Sequence, residues 1–215
     1  MQQKTFLQWS AACTIIGASL LCTGYWLRTD IEKELIDNFA STQGFVSSVL
    51  VAAGSLFLLC GLPGIFYKYV KRLGKSAFIA SGLSFVGIIA FHLGTLALYF
   101  VLPVLVTHNS GTRELIYSDI PPFPRFAIFW ALSLLLQCTG LTWLGINVWK
   151  SSSHSRVAAA ILMTGALVFV AAPLYSFHLL KTANTVVMLG LVWEASIVFF
   201  EKKERNEELD SVKAL

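Results

Sequence analysis

The chain has 215 residues, of which 56% are hydrophobic and 13% charged, and its mean hydropathy is +0.69. Soluble domains carry about 25% charged residues, so this balance excludes an ordinary soluble protein and indicates a polytopic membrane protein. The net charge of +4 does not point to nucleic acid, because the charges sit in loops and a tail, where membrane topology places them.

The first apolar run, 6–27, is bracketed by Trp9 and by Tyr25-Trp26, rings that prefer the headgroup level. Lys4 gives the N-terminus a signal-like look, but Ser19-Leu20-Leu21-Cys22 lacks small residues at the usual cleavage positions, so a retained helix is expected. Residues 28–44 balance opposite charges and repeat Ile31, Leu35 and Phe39 at i+4, the pattern of a short surface helix or of a solvated loop. The second span, 45–67, should kink or loosen at Gly61-Leu62-Pro63-Gly64.

The third span, 77–103, follows the basic turn Lys68, Lys71, Arg72 and Lys75. Ala80, Ser84, Gly87, Ala90, Gly94 and Ala97 form a stripe of small side chains where another helix can approach closely. A second stripe, Ser81, Phe85, Ile88, His92, Thr95 and Tyr99, carries polarity at membrane depth. Two such faces predict a helix in the middle of the bundle, ended or bent by Pro103. A polar segment closing on Ile120-Pro121-Pro122-Phe123-Pro124 should be extended and stiff, feeding the fourth span, 126–149, which contains Gln137 and Asn147. The fifth span is read as 157–180, interrupted by Pro173, and the sixth as 182–200, carrying Glu194.

The expected fold is therefore an all-α, six-helix transmembrane bundle, one domain over 1–200, with a charged tail at 201–215 that is helical or frayed. Residues 55–85 resemble 133–165 through SLFLLCGLPGIFYKYVK and SLLLQCTGLTWLGINVWK, a pattern that duplication or shared hydrophobic bias could produce. We expect a multi-pass protein of the bacterial cytoplasmic membrane, in contact with the lipid bilayer. Placing both termini in the cytoplasm puts eleven lysines and arginines inside, among them Lys4, Lys150, Arg156 and Lys202. Five lie outside: Arg28, Lys33, Arg113, Arg125 and Lys181.

Counting depth at about 1.5 Å per residue from the inner end puts His92 near 23 Å, Gln137 near 18 Å and Tyr175 near 27 Å, an outer tier joined by Thr95. Glu194 falls near 9 Å, level with Ser84, Thr164 and Cys60, an inner tier. An ionisable group at such depth costs at least a few kcal/mol unless paired or wet, which makes Glu194 the sharpest functional candidate. It can equally be a neutral or hydrogen-bonded carboxyl. His92 could bind a proton, a metal or a substrate, or simply hydrogen-bond Thr95 or Tyr99. His178, with Tyr175 close by, reads as an interfacial anchor. A haem between His92 and His178 is disfavoured, because the two differ in depth by roughly 9 Å, and no cofactor or metal set is expected. Cys13, Cys22, Cys60 and Cys138 read as small apolar residues of the core or lipid face.

The leading reading is a transporter-like or channel-like protein whose polar pocket, built from His92, Thr95, Tyr99, Gln137, Tyr175, Glu194, Ser84 and Thr164, handles a small solute, proton or cation. The rival is a non-catalytic partner or regulatory subunit, working with another membrane protein or a second copy of itself, in which the same groups are interhelical hydrogen bonds. An intramembrane enzyme or redox protein stands third, because no nucleophile–base pair or metal set is visible. The basic bias generates a direct prediction. Cysteines introduced at Ser152 and Ser211 should be labelled by impermeant reagents only from the cytoplasmic side, and those at Thr42 and Ser110 only from outside; labelling from the opposite sides would reverse the topology.

Overall fold

The computed structural model of the protein describes residues 2–27, 41–108, 124–151, 156–172 and 177–213, with side chains for all of these except 2–4, 95, 97–108, 124–127, 151, 177 and 201–213. Six α-helices make up the described residues: α1 (Gln2–Leu27), α2 (Thr42–Leu73), α3 (Lys75–His108), α4 (Pro124–Ser151), α5 (Arg156–Ala171) and α6 (Phe177–Lys213). Five of them are long and apolar enough to cross a bilayer, while α5 is an apolar helix of 16 residues. In hydrocarbon a helix is the simplest way for one segment to satisfy its own backbone donors and acceptors, which is why such composition resolves into helices.

Helix ends follow local chemistry. Ser41 caps α2 by accepting a 3.0 Å hydrogen bond from the Gly44 backbone N–H. Gly74 closes α2 in the left-handed region, at φ 72°, and its N–H donates to the Val70 carbonyl at 2.9 Å. Only glycine takes that conformation without strain, so one residue reverses the chain into α3. Pro63 lies within α2, which runs on to Leu73. Pro103 likewise does not end α3, which continues to His108. The expected fifth span is corrected more strongly. The α-helix stops at Ala171, before Pro173, and α6 already starts at Phe177, so residues 177–180 belong to the sixth helix. Proline lacks the N–H that would extend the preceding helix, and its ring clashes with the carbonyl four residues back. The tail is helical as far as Lys213. The expected surface helix at Ile31, Leu35 and Phe39 and the stiff segment at 120–123 lie outside the described residues.

The helices form a ring in chain order. Each packs on its sequence neighbours and α6 closes the circle against α1, while α2 also reaches α4 and α6 across the middle. This corrects the expectation of a central third helix. One face of α3 does pack closely, but Phe78, Ile79, Val86 and Leu93 on another are exposed on the bundle's outer surface.

Glycine sets the closest approaches. A Cβ at Gly17 on α1 would lie 2.6 Å from the Leu58 backbone nitrogen on α2, and one at Gly54 would lie 2.8 Å from the Leu21 nitrogen on α1. The same holds between α3 and α4, where a Cβ on Gly87 would lie 2.6 Å from the Gln137 Cα and one on Gly140 would lie 2.8 Å from the Ala80 carbonyl oxygen. Between α5 and α6, Gly165 meets Val187 and Gly190 meets Leu162. Paired positions rise on one helix as they fall on the other, so these pairs are antiparallel. Polar bolts add to them: Ser47 Oγ donates to the Gly24 carbonyl at 2.7 Å, and Trp26 Nε1 donates to Thr185 Oγ1 at 2.9 Å. Ser76 Oγ accepts from Asn147 Nδ2 at 3.0 Å and from Trp143 Nε1 at 3.1 Å.

Because Gly87 abuts backbone, even a methyl group must push α3 from α4. We expect Gly87→Ala to destabilise the protein in detergent by about 1–3 kcal/mol as overpacking. Gly82, whose Cβ would meet nothing within 4 Å, provides the control: Gly82→Ala should be neutral or gain up to about 1 kcal/mol in helix propensity. Equal behaviour of the two variants in thermal unfolding would remove the packing role assigned to Gly87.

Candidate functional site

The interior of the ring is lined by residues that the helical period turns inward. On α3 these include Ser84, Ile88, Phe91 and His92, on α4 Ser133, Gln137, Leu141 and Leu144, and on α6 Asn184, Leu191, Glu194 and Ala195, all buried. Phe91 organises one half. Its ring stacks on Trp130 at a centroid distance of 5.2 Å and meets Phe169 edge-on at 5.4 Å and His92 edge-on at 5.6 Å. Three helices are joined there by aromatic contacts.

Polar groups within this packing divide into two kinds. Some turn back on their own helix: Ser84 Oγ donates to the Ala80 carbonyl at 2.9 Å, Ser133 Oγ to Phe129 at 2.7 Å and Ser55 Oγ to Val51 at 2.7 Å. The others reach no protein partner among the described residues. Both ring nitrogens of His92, both amide atoms of Gln137, both amide atoms of Asn184, Trp130 Nε1 and Ser81 Oγ are buried without a hydrogen bond. Their residues are deeply placed, with exposures of 2% for His92, 0% for Gln137 and 2% for Asn184. Native interiors leave few such atoms, since each costs about 1–3 kcal/mol when unpaired.

Glu194 occupies a different place. It is 1% exposed on α6, and the hydroxyl of Tyr69 on α2, itself 5% exposed, donates to its Oε2. Ten residues separate Asn184 from Glu194, about 15 Å along the helix, so the carboxyl lies well away from the amides. It sits toward the end of the bundle where α2 finishes and α3 begins. At that end Trp9 on α1 and Phe199 on α6 also line a shared groove.

The sequence-expected tiers are partly rearranged. His92 and Gln137 are buried, and neither makes an interhelical hydrogen bond among the described residues. The inner tier does not assemble around Glu194. Ser84 bonds its own helix, while Thr164 and Cys60 lie on exposed faces. Depth counting gave their level and said nothing about azimuth. The side chains of Thr95 and Tyr99, and all of Tyr175, lie outside the described residues. His178 is exposed on α6 whereas His92 is buried on α3, and those helices are not neighbours in the ring, so the two imidazoles are not brought together. Among the described residues there is no group of three or more metal-ligating side chains. Lys181, expected outside the membrane core, is 4% exposed within α6.

Three participants were not anticipated. Tyr69 resembles an interfacial anchor because it follows Tyr67 and Lys68 at the end of an apolar run. Asn184 was hidden by the misplaced α5–α6 boundary; starting the helix at Phe177 puts it two turns inside. Trp130 carries no sequence signal that separates it from ordinary packing, whereas Ser81 belongs to the polar stripe read on the third span. Comparison of the chain with protein-family models, with curated proteins and with solved structures finds no match in any of the three.

The Tyr69–Glu194 contact joins α2 to α6 across the ring and should be energetically coupled. We expect Tyr69→Phe to lower stability by about 1–3 kcal/mol, with Glu194→Leu costing a similar amount by leaving the phenol unpaired. The double variant should be less damaged than the sum, giving a coupling above about 1 kcal/mol in a detergent-unfolding cycle. Simple additivity would mean that the hydrogen bond contributes nothing.

Proposed function

We propose that the protein is a membrane-embedded carrier of a small polar solute, bound inside the ring by Gln137, Asn184 and His92. The observation that carries this reading is that three deeply buried side chains on three different helices keep all of their polar atoms without a protein partner among the described residues. Hydrocarbon or dry packing would penalise each of them, whereas a solute or water with complementary groups repays that cost.

The donor and acceptor inventory narrows the chemistry. Each primary amide offers two donors and one acceptor oxygen, and a neutral imidazole offers one of each. These groups suit an uncharged solute that both donates and accepts, such as a small amide or polyol, better than a bare cation. Glu194 and Tyr69, about 15 Å away along α6, form a separate ionisable station. Protonation of this carboxyl during each cycle is the role assigned to it, since a buried acid changes charge readily only with a proton or cation partner. The partner-subunit reading accounts for the Tyr69–Glu194 bond but leaves the amides unexplained.

The test exploits opposite effects on stability and function. Replacing Gln137 or Asn184 by leucine removes a buried polar group of similar volume, so the solute-free protein should become more stable by about 1–3 kcal/mol. The same variants should lose co-purifying solute, identified by mass spectrometry of the wild type, and its uptake into proteoliposomes. Glu194→Gln should leave binding intact while abolishing the pH dependence of uptake. If both leucine variants are destabilised and no solute is found with the wild type, the carrier reading fails.

A further inference from the structure

On the outer surface, between α2 and α3, a groove of about 270 Å³ is lined by Pro63, Phe66, Tyr67, Val70, Phe78, Ser81, Gly82 and Phe85. Phe66 and Phe85 pack edge-on across its floor at 6.5 Å, and Gly82 leaves one wall open because a Cβ there would touch nothing within 4 Å. Its base is not wholly apolar. Ser81 is 4% exposed, lines the groove, and its hydroxyl has no hydrogen-bond partner among the described residues. The groove between α5 and α6 differs here: its serine, Ser196, already donates to the Val192 carbonyl at 2.8 Å.

Charge is placed at one end of the α2–α3 groove by helical spacing. Lys71 stands four residues beyond Tyr67, and Lys75 stands three before Phe78 and seven before Gly82, so each lysine continues a row that lines the groove. Both lysines are exposed. From Lys75 to Ser81 is six residues, about 9 Å along α3. The headgroup layer of a bilayer is about 5–8 Å thick on each side, so a phosphate at the lysines brings the ester carbonyls below it close to the depth of the serine.

We infer that this groove is a binding site for one anionic diacyl phospholipid of the leaflet at the Lys75 end. The phosphate lies between the ammonium groups of Lys71 and Lys75, an ester carbonyl accepts the hydrogen bond that Ser81 makes to nothing else, and one acyl chain runs along Phe66, Phe85 and the gap at Gly82. The site is independent of the solute station inside the ring and of which face of the membrane carries the termini.

Native mass spectrometry of the full chain, released from bilayers holding equal amounts of phosphatidylglycerol and phosphatidylcholine with the same acyl chains, tests it. The wild type should retain phosphatidylglycerol over phosphatidylcholine by roughly tenfold, as two lysines near a charged surface allow. Lys71→Gln with Lys75→Gln should erase the preference. Gly82→Phe, which fills the open wall without meeting backbone, should reduce phosphatidylglycerol retention while thermal stability stays at the wild-type level. Equal retention of the two lipids, a preference that survives the lysine substitutions, or retention untouched by Gly82→Phe overturns the assignment.

Discussion

Close approach of helix backbones at glycine is the constraint on which the rest of the molecule depends. Lipid is as apolar as a leucine side chain, so helices already in the membrane gain little from hiding hydrophobic surface and associate through packing and interhelical hydrogen bonds. Gly17 and Gly54 bring α1 to α2, Gly87 and Gly140 bring α3 to α4, and Gly165 and Gly190 bring α5 to α6. Each pair is a hairpin of successive helices. Further contacts of α2 with α3, α4 with α5 and α6 with α1 complete the ring, with polar bolts at Ser47–Gly24, Trp26–Thr185 and Ser76–Asn147 within it.

Ring closure creates an interior, and the interior is where polarity departs from ordinary membrane packing. Elsewhere many hydroxyls fold back on carbonyls of their own helix, Ser47 reaches a carbonyl of the neighbouring helix, and the end-of-helix amide of Asn147 finds a partner across a neighbour. Inside, His92, Gln137 and Asn184 do neither. The aromatic cluster of Phe91, Trp130 and Phe169 joins α3, α4 and α5, and all three polar side chains stand on helices rather than on loops. Tyr69 and Glu194 sit toward the opposite end of the bundle interior and are paired with one another. In the carrier proposal the interior amides and the carboxyl are separated along one helix, an arrangement in which occupancy and protonation can be linked without direct contact.

Much of the architecture was legible from hydropathy, because a run of about 20 apolar residues has few alternatives in a bilayer. The small face of α3 was legible too, and Gly87 and Gly94 do meet α4. Errors arose where composition is uniform but geometry is not. Residues 157–180 hold no lysine, arginine or acid and are mostly apolar, so their hydrophobicity does not mark the helix end at Ala171. The displaced boundary then hid Asn184 and misplaced Lys181. Depth along a span can be counted, but azimuth depends on where neighbours sit, which explains why Thr164 is exposed and why the partner of Glu194 is Tyr69 rather than Ser84.

The account's central claim is that a molecule other than the protein completes the hydrogen bonding of the interior amides. A density map of the protein in a lipid nanodisc, sharp enough to show ordered water, measures this directly. The account predicts non-protein density about 2.7–3.2 Å from the amide atoms of Gln137 and Asn184. A dry interior, with the two amides rotated to bond protein groups, would contradict it.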